Sequence, residues 1–184
     1  MFFVTLFALF TAFAFLPGSF SAHSARYHRR AAAHSLVHSR ALRLQTAFLD
    51  AHNAVRVMHN ATTLTWSTEL AEKAEKWTDA CQFKHTEGVL SDTPYGEIIA
   101  AATGSFPVSA AFQTFVRDEA AYNPANPTFT HFTQVVWKNT TQLGCAASRC
   151  SGIFDKSLGT ATLYVCLYDP VGNVIGEALD NVQV

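Results

Sequence analysis

Apolar residues along this chain follow three kinds of pattern, and each predicts a different element. Residues 2–16, FFVTLFALFTAFAFL, are an unbroken apolar run closed by Pro17, Gly18, Ser19 and Ser21. The run falls short of the roughly 20 residues that span a bilayer, and small residues follow it. It reads as a secretory signal peptide over 1–22, although no basic residue leads it. From Leu44 to Met58 the period is helical, with Leu44, Phe48, Ala51 and Val55 at i, i+4, i+7 and i+11. Residues 60–65 interrupt it. Ser67 can cap a second helix, with Glu69 in its first turn, and Leu70, Ala74, Trp77 and Cys81 repeat the spacing. A third helix is predicted over residues 108–121, with Phe112, Phe115 and Val116 as its apolar side, and a shorter helical piece after Gly96. Asn123-Pro124 and Asn126-Pro127 then force a loop, because proline restricts the residue before it. Beyond the loop the period becomes that of strands, at 133–137, 143–149 and 160–168. In the last, Leu163, Val165 and Leu167 face one side, and Tyr164, Cys166 and Tyr168 the other. Helices first and a hairpin-rich sheet afterwards predict an α+β layered domain.

Composition narrows the function classes. A chain of 184 residues is one domain with trimmings, and 49% hydrophobic with 12% aromatic residues excludes a disordered chain. The net charge of −1 conceals an asymmetry. Five arginines (Arg26, Arg29, Arg30, Arg40, Arg43) precede Leu44 without an acid, and the remainder has 8 Lys+Arg against 14 Asp+Glu, a net −6. An acidic body argues against nucleic acid as a partner. Residues 23–43, which also hold His23, His28, His34 and His38, read as a solvated basic arm that attracts anionic surfaces weakly, ahead of a pro-segment processed at the dibasic Arg29-Arg30. The domain itself is expected over 44–184. Asn60-Ala61-Thr62 and Asn139-Thr140-Thr141 are N-glycosylation sequons at Asn60 and Asn139. With the leader, they point to a secreted, extracellular glycoprotein. Four cysteines permit two disulfides there. Cys145 and Cys150, five apart, point to opposite faces of a strand. Cys145 can staple to Cys166 on a neighbouring strand, which leaves Cys150 for Cys81. A zinc site is the competing reading, though Cys-x-x-Cys is absent from the sequence.

The segments also match a family pattern. His131-Phe132-Thr133-Gln134-Val135-Val136-Trp137 with Lys138-Asn139-Thr140 resembles the first signature of the CAP superfamily. That superfamily comprises cysteine-rich secretory proteins, insect antigen 5 and plant pathogenesis-related class-one proteins. Tyr164-Val165-Cys166-Leu167-Tyr168-Asp169-Pro170-Val171-Gly172-Asn173 resembles the second signature. His52-Asn53-Ala54-Val55-Arg56 resembles the helical His-Asn-x-x-Arg motif, and Gly96-Glu97-Ile98 the Gly-Glu-Asn motif. The resemblance covers about residues 46–176 and implies a three-layer α-β-α sandwich with Cys145–Cys166 and Cys81–Cys150 disulfides. A third family bridge, in the loop of residues 122–130, lacks its cysteines here, which implies a more mobile loop. The leader and the missing bridge lean towards a fungal pathogenesis-related class-one-like protein. Ile98 and Leu167 stand where the family usually has Asn, and His59-Asn60 replaces the usual His-Gly, a change that Asn tolerates in a left-handed turn.

By the same resemblance, two His and two acids line a cleft: His85, Glu97, Asp118 and His131. Asp118 is counted back from Tyr122 and replaces the more usual Glu, while Glu119 would point about 100° away on a helix. Such a set can hold Zn²⁺ through the imidazoles or Mg²⁺ or Ca²⁺ through the oxygens. The alternative is a hydrogen-bonded polar cluster that orders the cleft. His52 and Arg56 read as a hydrogen-bonding clamp between helix and loop, ahead of a ligand contact. The resemblance further implies a lipid-binding module, since fungal members carry sterols and others bind fatty acids. Tyr122, Asn123, Pro124, Asn126, Pro127 and Phe129 form a Pro-spaced loop that can open over an apolar slot. A fatty-acid slot would use Phe112, Phe115 and Val116, which otherwise read as core. The expected protein is a non-enzymatic monomer that takes sterols or fatty acids, at a membrane surface or cell wall, in lipid export, defence or virulence. A signalling-peptide precursor is the second reading, because Pro170-Val171-Gly172-Asn173 matches the start of the C-terminal peptide of plant members. A metal-dependent hydrolase is the third, and neither Gly-x-Ser-x-Gly nor His-Glu-x-x-His supports it.

Overall fold

The computed structural model describes residues 20–183, with side chains described at residue 32 and from 35 onward. Most of the expected signal peptide, residues 1–19, therefore lies outside the described residues. Contacts divide the chain into a unit that ends at Ser39 and one that runs from Arg40. No described helix is long and apolar enough to cross a membrane.

Helix α1 spans Phe20–Met58, so it begins well before the periodic stretch that starts at Leu44. Neither Gly nor Pro falls between Phe20 and Met58, and Ala31-Ala32-Ala33 are strong helix formers, so the expected basic arm contains no stop signal. Asn60, at φ 53°, turns the chain out of the helix, as its tolerance of the left-handed region predicts. A two-residue strand β1, Thr65–Trp66, follows, and Ser67 caps α2, Thr68–Asp79, by accepting from Leu70 N.

Three elements differ from the sequence expectation. The segment after Gly96 is strand β2, Gly96–Thr103, instead of a helical piece. Its alanines have little intrinsic β preference, but the strand is fixed by full antiparallel pairing from Gly96↔Tyr168 to Thr103↔Ala161. The third helix, α3, spans Val108–Val116, and a single 3₁₀ turn at Glu119–Ala121 replaces its predicted last part. Residues 131–135 are a short helix, α4, His131–Val135, where a strand was expected at 133–137. Thr130 and Thr133 form a reciprocal capping box at its start, and Phe132 to Val135 are all buried. Burial, not a pleat, therefore explains the β-branched run.

Strands β3, Gln142–Cys150, and β4, Ala161–Asp169, complete a four-stranded sheet in the order β1-β3-β4-β2, parallel only between β1 and β3. A terminal helix α5 covers Ala178–Asn181. The alternation along β4 sorts the interior into two cores. Tyr164, Cys166 and Tyr168 join Phe48, Val55, Phe112, Phe115 and Phe132 from α1, α3 and α4 on one face. Leu163, Val165 and Leu167 join Leu70 and Ala74 of α2 on the other. This is the expected three-layer α-β-α sandwich. Its disulfides are Cys145–Cys166 and Cys81–Cys150, one on each face, and no described cysteine is free.

Candidate functional site

The Cys81–Cys150 bridge holds the chain that leaves α2 against the end of β3, and four residues later His85 reaches the start of β2. There the His85 Nδ1 is hydrogen-bonded to Glu97 Oε1. Glu97 is only 7% exposed, while His85 is 60% exposed. Both Glu97 oxygens also accept from Thr86 N, each at 3.2 Å. Thr86 Oγ1 and Leu90 N bond in turn to Tyr95 Oη, at 2.6 and 3.2 Å, which fixes the strap that carries His85.

His131 opens α4 with its ring edge-on to Phe115, the centroids 5.9 Å apart. Burial lowers its pKa below the ordinary imidazole value; Asp118 opposes that shift, and the positive fields of His85 and Arg117 add to it. Asp118 is thus the acid that acts on His131, and it also lies 3.5 Å from Arg117. Glu119, the neighbouring candidate, turns to His59, whose Nε2 is 3.3 Å from its Oε1. His85, Glu97, Asp118 and His131 therefore share one electrostatic environment. Among the described residues, however, no three His, Cys, Asp or Glu side chains are arranged to hold a metal ion. Glu97 instead has both oxygens engaged by protein hydrogen bonds.

His52 and Arg56 are fully buried. Arg56 donates to four carbonyls: Thr62 O at 2.7 Å, Val135 O at 2.9 Å, Trp137 O at 2.8 Å and Thr140 O at 2.8 Å. That is a clamp between α1 and the first-signature segment. His52 Nδ1 lies 2.7 Å from Phe48 O, which can only accept, so Nδ1 carries the proton. Its Nε2 then accepts from Tyr168 Oη at 2.7 Å. Burial pushes His52 down to about 4, against the Phe48 bond, and raises Tyr168 well above the ordinary phenol value, so both are neutral.

The loop of residues 122–130 starts at Tyr122, which is buried with its ring 6.2 Å from Phe132. Residues 123–129, including Asn123, Pro124, Asn126 and Pro127, are exposed. Among the described residues their hydrogen bonds are internal, Ala125 N to Asn123 Oδ1 and Asn126 N to Asn123 O. Phe129 is 40% exposed, and its ring lies 6.2 Å from the buried Trp137 ring. Phe112 and Phe115 are core residues, and Val116 packs against that core. Both sequon asparagines, Asn60 and Asn139, are exposed. The Pro170–Asn173 segment is built into the body, with Asn173 donating to Thr130 O at 3.0 Å and accepting from Thr133 Oγ1 at 2.7 Å.

Three contributors escape a sequence reading. Thr86 matters through its backbone N, which leaves no mark on residue type. Tyr168 is visible as an inward position of β4, but its pairing with His52, 116 residues away, is not. Gln134 lies in the first signature, yet its role shows only in space: a Cβ at Gly96 or Gly172 would come within 2.1 or 2.5 Å of its amide.

Comparison with known proteins agrees with this geometry. Residues 49–168 match the model of the CAP: Cysteine-rich secretory protein family. Protein PRY2 of Saccharomyces cerevisiae is 35% identical over 75% of this chain, and Secreted protein RBT4 of Candida albicans is 37% identical over 70% of it. The chain spans only 40% and 35% of the lengths of those two relatives. The venom allergen-like protein 4 of Schistosoma mansoni, at 21% identity, shares the fold with a TM-score of 0.59 over 71% of this chain and 90% of that one. The matched segment takes in the first signature, the start of the second, the clamp residues His52 and Arg56 and the acid of β2, and this chain belongs to the CAP, or cysteine-rich secretory protein, family.

Proposed function

We propose that this chain is exported and binds a sterol or another small lipid outside the cell, and that it works by holding cargo, without making or breaking bonds. The observation that carries the reading is the loop of residues 122–130. It bears no charged residue, is exposed from 123 to 129, and is held by aromatic rings at its two ends. Lifting such a loop exposes Phe132 and Trp137 and opens apolar surface to a ligand. Burying several hundred Å² of a sterol there would favour binding at about 25 cal/mol per Å², less the cost of ordering both partners. Phe129, exposed and at the loop's end, would cover the cargo, whereas Tyr122 anchors the loop.

In this reading the His85–Glu97 and His131–Asp118 groups order the cleft. Zn²⁺ or Mg²⁺ would have to displace the His85–Glu97 bond to bind. Calorimetric titration of either ion into the protein, with a His85→Ala/His131→Ala variant as reference, measures whether that happens. The test of the main reading is mass spectrometry of lipids that co-purify with the secreted protein, followed by radiolabelled cholesterol binding. Phe129→Ala should weaken cholesterol uptake strongly while leaving the fold intact. Empty protein that also refuses sterols and acyl chains would sink the proposal.

A further inference from the structure

A neutral imidazole donates from one ring nitrogen and accepts at the other. At His59, the residue that follows α1, the fold assigns the two roles. Nδ1 lies 2.7 Å from Gln183 O, and a carbonyl only accepts, so Nδ1 carries the proton. Nε2 is then a bare lone pair. It faces Glu119 Oε1 at 3.3 Å, and an ionised carboxylate also only accepts, so two acceptors meet without a hydrogen bond. The contact is shielded from water: His59 is 7% exposed, and the Phe132 ring of α4 stands edge-on to it at 5.0 Å. A buried polar atom without a partner is rare and costly, and this one is aimed at a group that it can bond only after taking up a proton.

The segments that meet at this ring give such a proton a structural consequence. Glu119 opens the 3₁₀ turn, in which Ala121 N and Tyr122 N donate to Asp118 O and Glu119 O, each at 3.1 Å, and Tyr122 opens the loop of residues 122–130. Gln183 follows α5, and its Oε1 accepts from Asn60 Nδ2 at 3.3 Å and from Lys138 Nζ at 3.1 Å. The other charges nearby are engaged elsewhere. Lys138 is spent on Gln183, Arg56 of the same helix on four carbonyls, and Asp118 lies 3.5 Å from Arg117. Phe132 brings a ring and no charge. Among the described residues, Glu119 is therefore the charged group in contact with the imidazole. A proton on Nε2 turns that contact into a charge-assisted hydrogen bond between the end of α1 and the root of the loop.

We infer that His59 is a proton-operated latch on the root of the loop: charged, it ties Glu119 to α1 and to Gln183, and neutral, it lets Glu119 go. The latch is closed in mildly acid surroundings and opens as pH rises through the range in which an imidazole loses its proton. The inference concerns how firmly the loop is rooted and stands whatever the loop covers.

The test follows hydrogen exchange of the Ala121 and Tyr122 amides by NMR in the full secreted chain, at pH 5.5 and pH 7.5, each rate divided by its intrinsic value at that pH. Protection should be about tenfold higher at pH 5.5, the effect of one charge-assisted hydrogen bond. Nitrogen-15 spectra of the His59 ring should show Nε2 bare at pH 7.5 and protonated at pH 5.5. Glu119 is 44% exposed, so its substitution spares the core. Glu119→Ala should abolish the difference between the two pH values. Glu119→Gln should keep the protection high at pH 7.5 as well, because its amide N–H can donate to the neutral Nε2. Burial of neutral His52 loosens the whole fold in acid and so opposes the expected sign; Glu119→Ala shares that effect and is the reference for it. Equal protection of the parent at both pH values, a difference that survives in Glu119→Ala, a Glu119→Gln variant that behaves like Glu119→Ala, or an Nε2 already protonated at pH 7.5 overturns the inference.

Discussion

Arg56 illustrates how little of a residue's role is fixed by its type. A buried guanidinium is costly unless its donors are met, and here four carbonyls from two separate chain segments meet them. Burial lowers its pKa to about 10, so it remains charged at neutral pH. Arg56→Lys keeps the charge but cannot reproduce the planar fork. The variant should lose about 3 kcal/mol of stability in urea unfolding, and a loss below about 1 kcal/mol would show that the clamp is dispensable. His52, one turn earlier, makes stability depend on pH. Its folded pKa is about 4 against 6.5 when unfolded, so below 6.5 the unfolded chain takes up a proton that the native chain refuses. Stability is fully present above pH 6.5 and is lost as pH falls from 6.5 to about 4, by about 3 kcal/mol for this residue. His131, also lowered, acts in the same direction. A His52→Gln variant should be less stable at pH 7 but lose less between pH 7 and 4.5 than the parent, as read from urea midpoints at the two pH values. The pairing of His52 with Arg56 on one helix face was legible from their four-residue spacing. Their partners were not, because three of the carbonyls that bind Arg56 belong to residues 135–140 and are set by the tertiary path.

At the level of elements, local pattern succeeded where one face of a long element meets one core. Phe48 and Val55 on α1, Leu70 and Ala74 on α2 and the alternation of β4 all fall where their periods place them. It failed where an element is short and buried on all sides, and where pairing with a neighbour outweighs residue type. Residues 133–137 look like a strand because Thr, Val and Trp favour pleated surfaces, yet the Thr130–Thr133 capping box starts a helix there. The alanine-rich β2 looks helical because its strand character comes from pairing with β4. The join between these two misread elements is Gln134, whose amide fills the space left by Gly96 and Gly172. A methyl at Gly172 would lie 2.5 Å from Gln134 Nε2. Gly172→Ala should therefore destabilise by about 2 kcal/mol through overpacking. Gln134→Ala leaves a cavity that the added methyl can enter, so the double variant should be more stable than the sum of the two single losses implies. Strict additivity in denaturant titrations would mean that the glycine is required for some other reason.

The molecule as a whole is a sheet with two separately stapled cores, and the staples differ in kind. Cys145 and Cys166 are direct register partners on β3 and β4, joined on the face that carries α1, α3, α4, Tyr122 and Trp137. Cys81–Cys150 links the end of α2 to the end of β3 on the opposite face, across a sequence separation of 69. The five-residue spacing of Cys145 and Cys150 made their opposite orientation readable in advance. The consequence for stability follows from the loops they close. In the chain-entropy account, closing about 70 residues is worth about 4 kcal/mol and closing about 20 about 3 kcal/mol, and the shorter loop joins strands that the ladder already holds together. Cys81→Ala/Cys150→Ala should therefore lower the unfolding free energy by about 4 kcal/mol, more than Cys145→Ala/Cys166→Ala does after its own buried volume is allowed for. The larger loss should also free the strap that carries His85, because His85 lies four residues beyond Cys81. Its ring signals in NMR should broaden or shift, while the resonances of Trp137 stay in place. Cholesterol binding, measured well below the lowered melting temperature, should persist, since the loop and its two ring supports belong to the other core. Loss of binding in that variant, with the fold intact, would show that the two faces of the sheet act as one unit and that Glu97 helps to shape the proposed lipid site.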